Sequence, residues 1–452
     1  MFEQCVNQFQ FDFLPQKPIV VQSRSQQISG DAGLLPIRQF DQRWRYTQRL
    51  AGCLVDRRCD PEHSHEQMVC QRVYGILAGY EDCNDHDVLR DEPVFKLIAG
   101  RQIQDDPLAS QPTLSRFENS VTPAELQRLI DFNIDTGIEQ LQHKHEGPLP
   151  DCITLDLDTT DDPCHGDQQL RLFHGYYDQY QYLPLIISEP TTKHVFMAWL
   201  RPGTLTPSLG ADEDLMRVVD KLRQVRPDVK IHVRGDGDFG KPVMYECCEK
   251  PGITYTFGLG TNARLKKMAQ PLMDKAVRRY ERTGRKQRVF MRLSYQAESW
   301  PTPRTVVAKA ECHAGGTNLR FVVTNLAVPG VRQARQTYDD YVQRGESEQR
   351  MDELKNGLCA DRLSCHRFMA NFLRLLMHTA AYNLLNALRD HDDVPDVLRK
   401  GQPCTWRTKL IKVAATVTQS CRRIVVELAG QWPFTSLYHA VSRRALLAPS
   451  GP

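Results

Sequence analysis

Apolar positions recur at helical spacing through the first third of the chain and then change to the alternation of strands. Gln67–Gly79 places Met68, Val69, Val73, Ile76 and Leu77 close to one helical face, and Val94–Ala99 is another short apolar run. In Leu108–Asn119, Pro112 suits a first helical turn, and Leu114, Phe117 and Val121 follow at helical spacing. Read as a short helix, a polar turn and a second helix, this segment would turn Thr113, Ser115, Arg116 and Asn119 toward a major groove. A plain surface helix of a bundle fits the same pattern. Glu146-Gly-Pro-Leu-Pro150 ends the helical region. Ile153, Leu155 and Leu157 then alternate with Thr154, Asp156 and Asp158, which predicts a strand ending in carboxylates. Further strands are expected at Tyr182–Ile187 and Val195–Leu200, a helix at Asp212–Gln224, and strands at Val229–Val233 and Tyr255–Leu259. Together they predict a mixed α/β core. Val289–Tyr295, Thr305–Ala310 and Leu319–Thr324 add strands. Asp339–Leu388 returns to helix with an apolar stretch at Phe368–Leu388, and the tail runs from Val394 to a loose end at Ala448–Pro452.

At 452 residues, 41% hydrophobic and 25% charged, the chain has the composition of two to four globular units. No stretch reaches the roughly 18–20 apolar residues of a membrane span. Met1–Gln10, with Glu3, Gln4, Asn7 and Gln8, lacks the apolar core of a signal peptide. A cytoplasmic protein is expected. The 14 cysteines are scattered without a CxxC pair, which predicts reduced structural thiols over a zinc site. The overall balance of 58 Lys and Arg against 55 Asp and Glu is close to neutral. Between Ala263 and Lys309, however, thirteen basic residues face only Asp274, Glu281 and Glu298, a local excess that favours a polyanionic partner.

Three features carry candidate chemistry. Gly235-Asp-Gly-Asp-Phe-Gly240 satisfies the spacing of a dinucleotide loop after a strand. Asp236 and Asp238 inside it would repel a pyrophosphate, and the strand Tyr255–Leu259 ends without the acidic residue that holds a ribose. A metal reading fits better. Asp158 and Asp236 each end a predicted strand, where open α/β sheets gather ligand groups, and paired carboxylates suit a hard cation such as Mg²⁺. Tyr341, Arg344, Glu348 and Lys355, on one predicted helix, project within a stripe about 60° wide. Such a stripe offers a metal ligand among phosphate-binding cations, or simply a solvated charged face.

The set Leu155-Asp-Leu-Asp-Thr-Thr160, Arg234-Gly-Asp-Gly-Asp-Phe239 and Tyr341-x-x-Arg344-x-x-x-Glu348-x-x-x-x-x-x-Lys355 resembles bacterial insertion-sequence DDE transposases. The branch is the one with the Tyr-Arg-Glu-Lys signature and a β-rich insertion between the second Asp and the Glu. The similarity runs from about Ser29 to Leu388.

The resemblance implies an α/β fold with an RNase H-like mixed-sheet catalytic core, interrupted by a β-rich insertion and preceded by a mainly helical N-terminal domain. The expected divisions are residues 1–148 (helical, DNA-binding), 149–262 (core, first part), 263–338 (basic β-rich insertion), 339–393 (core, helical second part) and 394–452 (basic tail). Asp158, Asp236 and Glu348 become ligands of two Mg²⁺ or Mn²⁺ ions. Asp156 remains the runner-up to Asp158 on the same strand face, Asp238 to Asp236, and Glu346 is a poorer fit than Glu348. Tyr341, Arg344 and Lys355 become contacts to DNA phosphates. The insertion's Arg278, Arg279, Arg285 and Lys286 are expected on double-stranded DNA, with Arg116 in the N-terminal region. Trp300 is expected either to stack on a flipped base or to lie in the core. The implied activity is cut-and-paste transposition by a homodimer on DNA. The rival is a catalytically inactive, transposase-derived DNA-binding regulator, and a nicotinamide-dependent enzyme is third.

Overall fold

The computed structural model describes residues 8–447 apart from positions 12, 14, 15, 18, 23–25 and 176. The expectation for Met1–Gln10 falls largely outside these residues, and that for Ala448–Pro452 wholly so. Eight strands form the central sheet: β1 (Cys152–Thr159), β2 (Leu185–Ser188), β3 (Val195–Trp199), β4 (Lys230–Gly235), β5 (Ile253–Leu259), β6 (Gln287–Tyr295), β7 (Arg304–His313) and β8 (Gly316–Thr324). Their spatial order is β6-β7-β8-β5-β4-β1-β2-β3. The middle three, β5, β4 and β1, run parallel, and antiparallel strands flank them on both sides. The parallel strands bury Ile153, Leu155, Leu157, Ile231, Val233, Tyr255 and Phe257, the near-continuous apolar runs of strands covered on both faces.

The helices that matter for the site are α1 (His65–Ala78), α2 (Pro123–Lys144), α3 (Ala211–Val225), α4 (Ala263–Thr283), α5 (Val331–Val342), α6 (Gly345–Asp352) and α7 (Phe368–Arg389). Helix α7 is apolar nearly all round, and from Ala370 to Arg389 every residue is buried. It packs against α1, α2 and the edge strand β3. Asn383 on α7 accepts from the Val195 N–H at 2.9 Å and donates to the Val195 carbonyl at 3.0 Å, so the exposed edge of β3 is closed by a side chain. Glu118 joins the N-terminal helices to α7. Its carboxylate accepts from Arg72 Nε at 2.8 Å and from Arg374 Nε at 2.7 Å, all three groups buried.

The predicted central strands, α1 and α7 lie where the periodicity places them. Other expectations change. The basic segment opens with a 21-residue helix, α4, instead of strands alone. Leu265, Ala269, Leu272 and Ala276 form its one buried stripe, and the basic residues occupy the rest. The three strands after it extend the central sheet, because β5 offers β8 an unpaired edge. Residues 99–110 lead into the helix Gln111–Asn119 as an irregular segment, so no tight helix-turn-helix forms there. The segment after Val394 packs onto the rest of the chain: Trp406 is fully buried, and Arg407 donates to the carbonyls of Ile76, Leu77 and Gly357. Every described cysteine is free, and no helix among the described residues is long and apolar enough to cross a membrane.

Burial would raise the Glu118 carboxyl, but Arg72 and Arg374 outweigh it and hold it at about 2, below its ordinary 4.5. Its contribution to stability is therefore complete above about pH 4.5 and fades as pH falls toward 2. Glu118→Gln is expected to destabilise the protein by about 3–5 kcal/mol at neutral pH, since it leaves two buried guanidiniums without their counter-charge. Thermal melts from pH 7 to pH 3 check this: the gap between the two proteins must narrow on acidification.

Candidate active site

Strands β1 and β4 pair in parallel with Asp156 opposite Arg234 and Leu157 opposite Gly235. The register brings the next residues of both strands, Asp158 and Asp236, to the same C-terminal edge of the sheet, where such sheets bind ligands. Asp158 is 9% exposed. Its Oδ2 accepts from Ser347 Oγ at 2.8 Å and from Arg344 Nη1 at 3.1 Å, and its Oδ1 from the Thr159 N–H at 2.9 Å. Asp236 Oδ1 accepts from the Asp238 N–H at 2.9 Å. Burial pushes the Asp158 carboxyl up, Asp236 adds repulsion, and Arg344 and Ser347 oppose the shift without cancelling it. Asp236 is also raised, first by burial and then by the charge of Asp238. Burial works against the Arg344 guanidinium, yet Asp158, Tyr341 and Asp236 together raise it.

The stripe from Tyr341 to Lys355 is not one continuous helix. Helix α5 ends at Val342, and the 3.0 Å bond from the Arg344 N–H to the Tyr341 carbonyl tightens the chain before α6 begins at Gly345. A π-helical turn, Glu353–Gly357, then shifts Lys355 further round. The four side chains consequently diverge. Tyr341 is half-buried with the Arg344 guanidinium 5.9 Å from its ring centre. Glu348 is 75% exposed, with Oε1 3.7 Å from Arg344 Nη2. Lys355 Nζ donates to the Asp161 carbonyl at 2.8 Å and to its Oδ1 at 2.9 Å. Among the described residues no three His, Cys, Asp or Glu side chains are grouped closely enough to hold a metal ion. The structure thus joins Asp158, Asp236, Tyr341 and Arg344 and leaves Glu348 on the far side of the Arg344 guanidinium.

The alternatives separate by their surroundings. Asp156 is fully buried, with Oδ1 bound by Arg234 Nε at 2.7 Å and Oδ2 by Arg234 Nη2 at 3.0 Å and Arg350 Nη2 at 2.5 Å. Asp238 and Glu346 are exposed. Trp300 is 5% exposed, set edge-on to Tyr245 and Tyr295 with Arg304 over its ring, which is a core environment and presents no free face for a base. Arg278 and Arg279 on α4 and Arg285 and Lys286 after it are exposed, and so is Arg116, which bonds to Thr113 on its own helix. Three residues separate helix α4 from the end of β5 at the carboxylate edge of the sheet, with Asn262 Oδ1 accepting from the Leu265 N–H at 2.9 Å. Sequence reading missed Ser347, Asp161, Arg234 and Arg350. The last two were legible only as charges two positions from Asp236 and Glu348.

The sequence profile described as Transposase DDE domain group 1 matches residues 11–449, nearly the whole chain. The chain belongs to the DDE transposase family. Among solved structures, the transposase is similar to a piggyBac transposase synaptic complex with hairpin DNA determined by cryo-EM. Identity is 13% and the TM-score 0.42, over 92% of this chain and 82% of that one. No curated protein matches it.

In this transposase Gly235 and Gly240 of the loop serve close packing, which explains the imitation of a dinucleotide motif. A Cβ on Gly240 would sit 2.8 Å from the Gly258 carbonyl oxygen, and one on Gly258 would lie 2.8 Å from both the Gly237 nitrogen and Tyr341 Oη. The Asp236 loop, strand β5 and Tyr341 therefore meet at Gly258. Gly258→Ala is expected to destabilise by about 1–3 kcal/mol through overpacking. Adding Tyr341→Phe should recover part of that loss in urea unfolding, because the hydroxyl is one of the two atoms the new methyl strikes.

Proposed function

We propose that the transposase cleaves DNA at the ends of a mobile element and joins the freed 3′-hydroxyl to target DNA, using Asp158, Asp236 and Glu348 as the metal-binding carboxylates. The single observation that carries this reading is the convergence of Asp158 and Asp236 on adjacent parallel strand ends under Tyr341 and Arg344. The partial order β3-β2-β1-β4-β5, antiparallel then parallel, supports an RNase H-like core.

The donors suit Mg²⁺ or Mn²⁺. They are oxygen ligands, two of them partly desolvated and raised by burial and neighbouring negative charge, a strain that a cation relieves. When bound, a pair of such ions supplies charge stabilisation to both the attacking and leaving oxygens of an in-line displacement. The chain's own groups do the rest. Glu348 reaches the pair by rotating its side chain past Arg344. Arg344, released from Asp158, and Lys355, released from Asp161, are placed to hold phosphate oxygens, while Tyr341 limits water at the Asp236 loop. Helix α4 runs its basic face from the same edge and supplies the surface for duplex DNA. Two chains acting together fit the need to join two ends.

Asp158→Asn, Asp236→Asn and Glu348→Gln are each expected to lower Mn²⁺-dependent cleavage of the element's flanking inverted repeats by more than about a hundredfold. Binding to the same DNA should survive in all three. Full cleavage by the Glu348 variant would remove it from the ligand set, and binding without wild-type cleavage under either metal would favour the inactive regulator.

Replacing Arg278, Arg279, Arg285 and Lys286 together by Gln should flatten the dependence of log K on log salt by about 3–4 units if all four meet phosphates. An unchanged slope in filter-binding titrations would place the DNA elsewhere.

A further inference from the structure

One rung of the sheet below the carboxylate edge, a buried charged group touches every element that carries the candidate ligands. Asp156 lies opposite Arg234 on β4 and opposite Ser188 on β2, so three neighbouring strands contribute to the rung. Side chains alternate along a strand, which places Asp156 on the face of Asp158 and Arg234 on the face of Asp236. Arg234 holds both Asp156 oxygens and sends Nη1 to the Asp340 carbonyl at 2.8 Å, the residue before Tyr341. From α6, Arg350 donates Nη2 to Asp156 Oδ2 at 2.5 Å and Nε to Ser188 Oγ at 3.0 Å. All four side chains are at most 2% exposed.

The inward contacts of this second helical segment follow three-residue spacing. Arg344 and Ser347 reach Asp158, and Arg350 reaches Asp156. Two carboxylates on one strand therefore fix both the height and the rotation of α6. Glu348, next to Ser347, lies on the flank of that helix, with Oε1 3.7 Å from Arg344 Nη2.

Resting on the metal-site reading above, we propose that Arg234, Asp156 and Arg350 are positioning residues that set the register of β1, β4 and α6, so that Asp158, Asp236 and Glu348 can share one cation site. A buried ion pair is a poor source of net stability, because desolvation offsets its attraction, and well-packed apolar residues of similar volume often replace it without loss of folding. What apolar residues lack is direction. They hold the helix against the sheet and leave its rotation free. Two guanidiniums on one carboxylate fix donors and acceptors in a plane.

The test replaces the whole rung by apolar residues, Asp156→Leu, Arg234→Met and Arg350→Met together, in the full-length protein. Thermal unfolding, inverted-repeat DNA binding, calorimetric titration with Mn²⁺ alone, and cleavage are measured. The expected variant unfolds cooperatively and binds DNA as the wild type does. Its Mn²⁺ affinity falls about tenfold to a hundredfold, and cleavage falls at least as far. A folded triple variant with wild-type Mn²⁺ affinity and cleavage overturns the proposal.

If the triple variant does not fold, Arg350→Lys and Ser188→Ala decide. Lysine keeps the charge but cannot hold Asp156 and Ser188 in one plane, so each change should weaken Mn²⁺ binding and cleavage while the melting temperature moves little. Wild-type Mn²⁺ binding in both sinks the idea. A wild-type protein that neither binds Mn²⁺ nor cleaves is a different failure: it overturns the metal-site reading, and the positioning proposal falls with it.

Discussion

The parallel pairing of β1 with β4 is the constraint on which the rest of the structure depends. Backbone hydrogen bonding fixes that register, and the register puts two carboxylates at one sheet edge and a carboxylate facing a guanidinium one rung below. Each carboxylate then needs a cationic or hydroxyl partner, because a desolvated negative charge without one is costly. The partners come from residues far along the chain, Arg344, Ser347 and Arg350. The packing of helix on sheet is thus dictated by where charges must be satisfied as well as by apolar area.

The periphery follows from the same economy of satisfied groups. Helix α7 closes the β3 edge through Asn383, and Glu118 ties the N-terminal helices to α7 by two arginines. Strands β6 to β8 occupy the other free edge of the parallel centre. The basic helix between β5 and β6 keeps only one apolar stripe for packing and leaves its cations to solvent. A charged surface beginning at the carboxylate edge suits the DNA-processing role proposed above, since phosphate neutralisation dominates affinity for duplexes.

Arg344 is the hinge between the geometry observed and the activity proposed. It partners Asp158 and stands between that carboxylate and Glu348, so one guanidinium supplies the positive charge that acidic groups in a partly buried edge demand. An internal counter-ion of this kind offsets the repulsion between Asp158 and Asp236, and in the activity proposed above its release would free both a carboxylate oxygen and a cation for phosphate.

Much of this protein is determined by sequence alone. Period-two alternation at Ile153–Asp158, the apolar block at Phe368–Leu388 and the spacing Tyr341, Arg344, Glu348 record local requirements: which face is buried, which segment is covered on all sides, which residue types recur together. The family is legible at that level. The tertiary structure decided what spacing cannot encode. Asp156 and Asp158 share a strand face and a residue type, and only the arrival of Arg234 and Arg350 commits one to internal pairing. An ideal helix projects Tyr341 to Lys355 as one stripe, whereas the break before Gly345 and the π turn at Glu353–Gly357 spread them apart. Gly235 to Gly240 reads as a phosphate loop until Gly258 is seen pressed against it. For Asp156 and for the glycine loop the deciding partner lies many residues away, and a contact of that kind exists only once the chain has closed on itself.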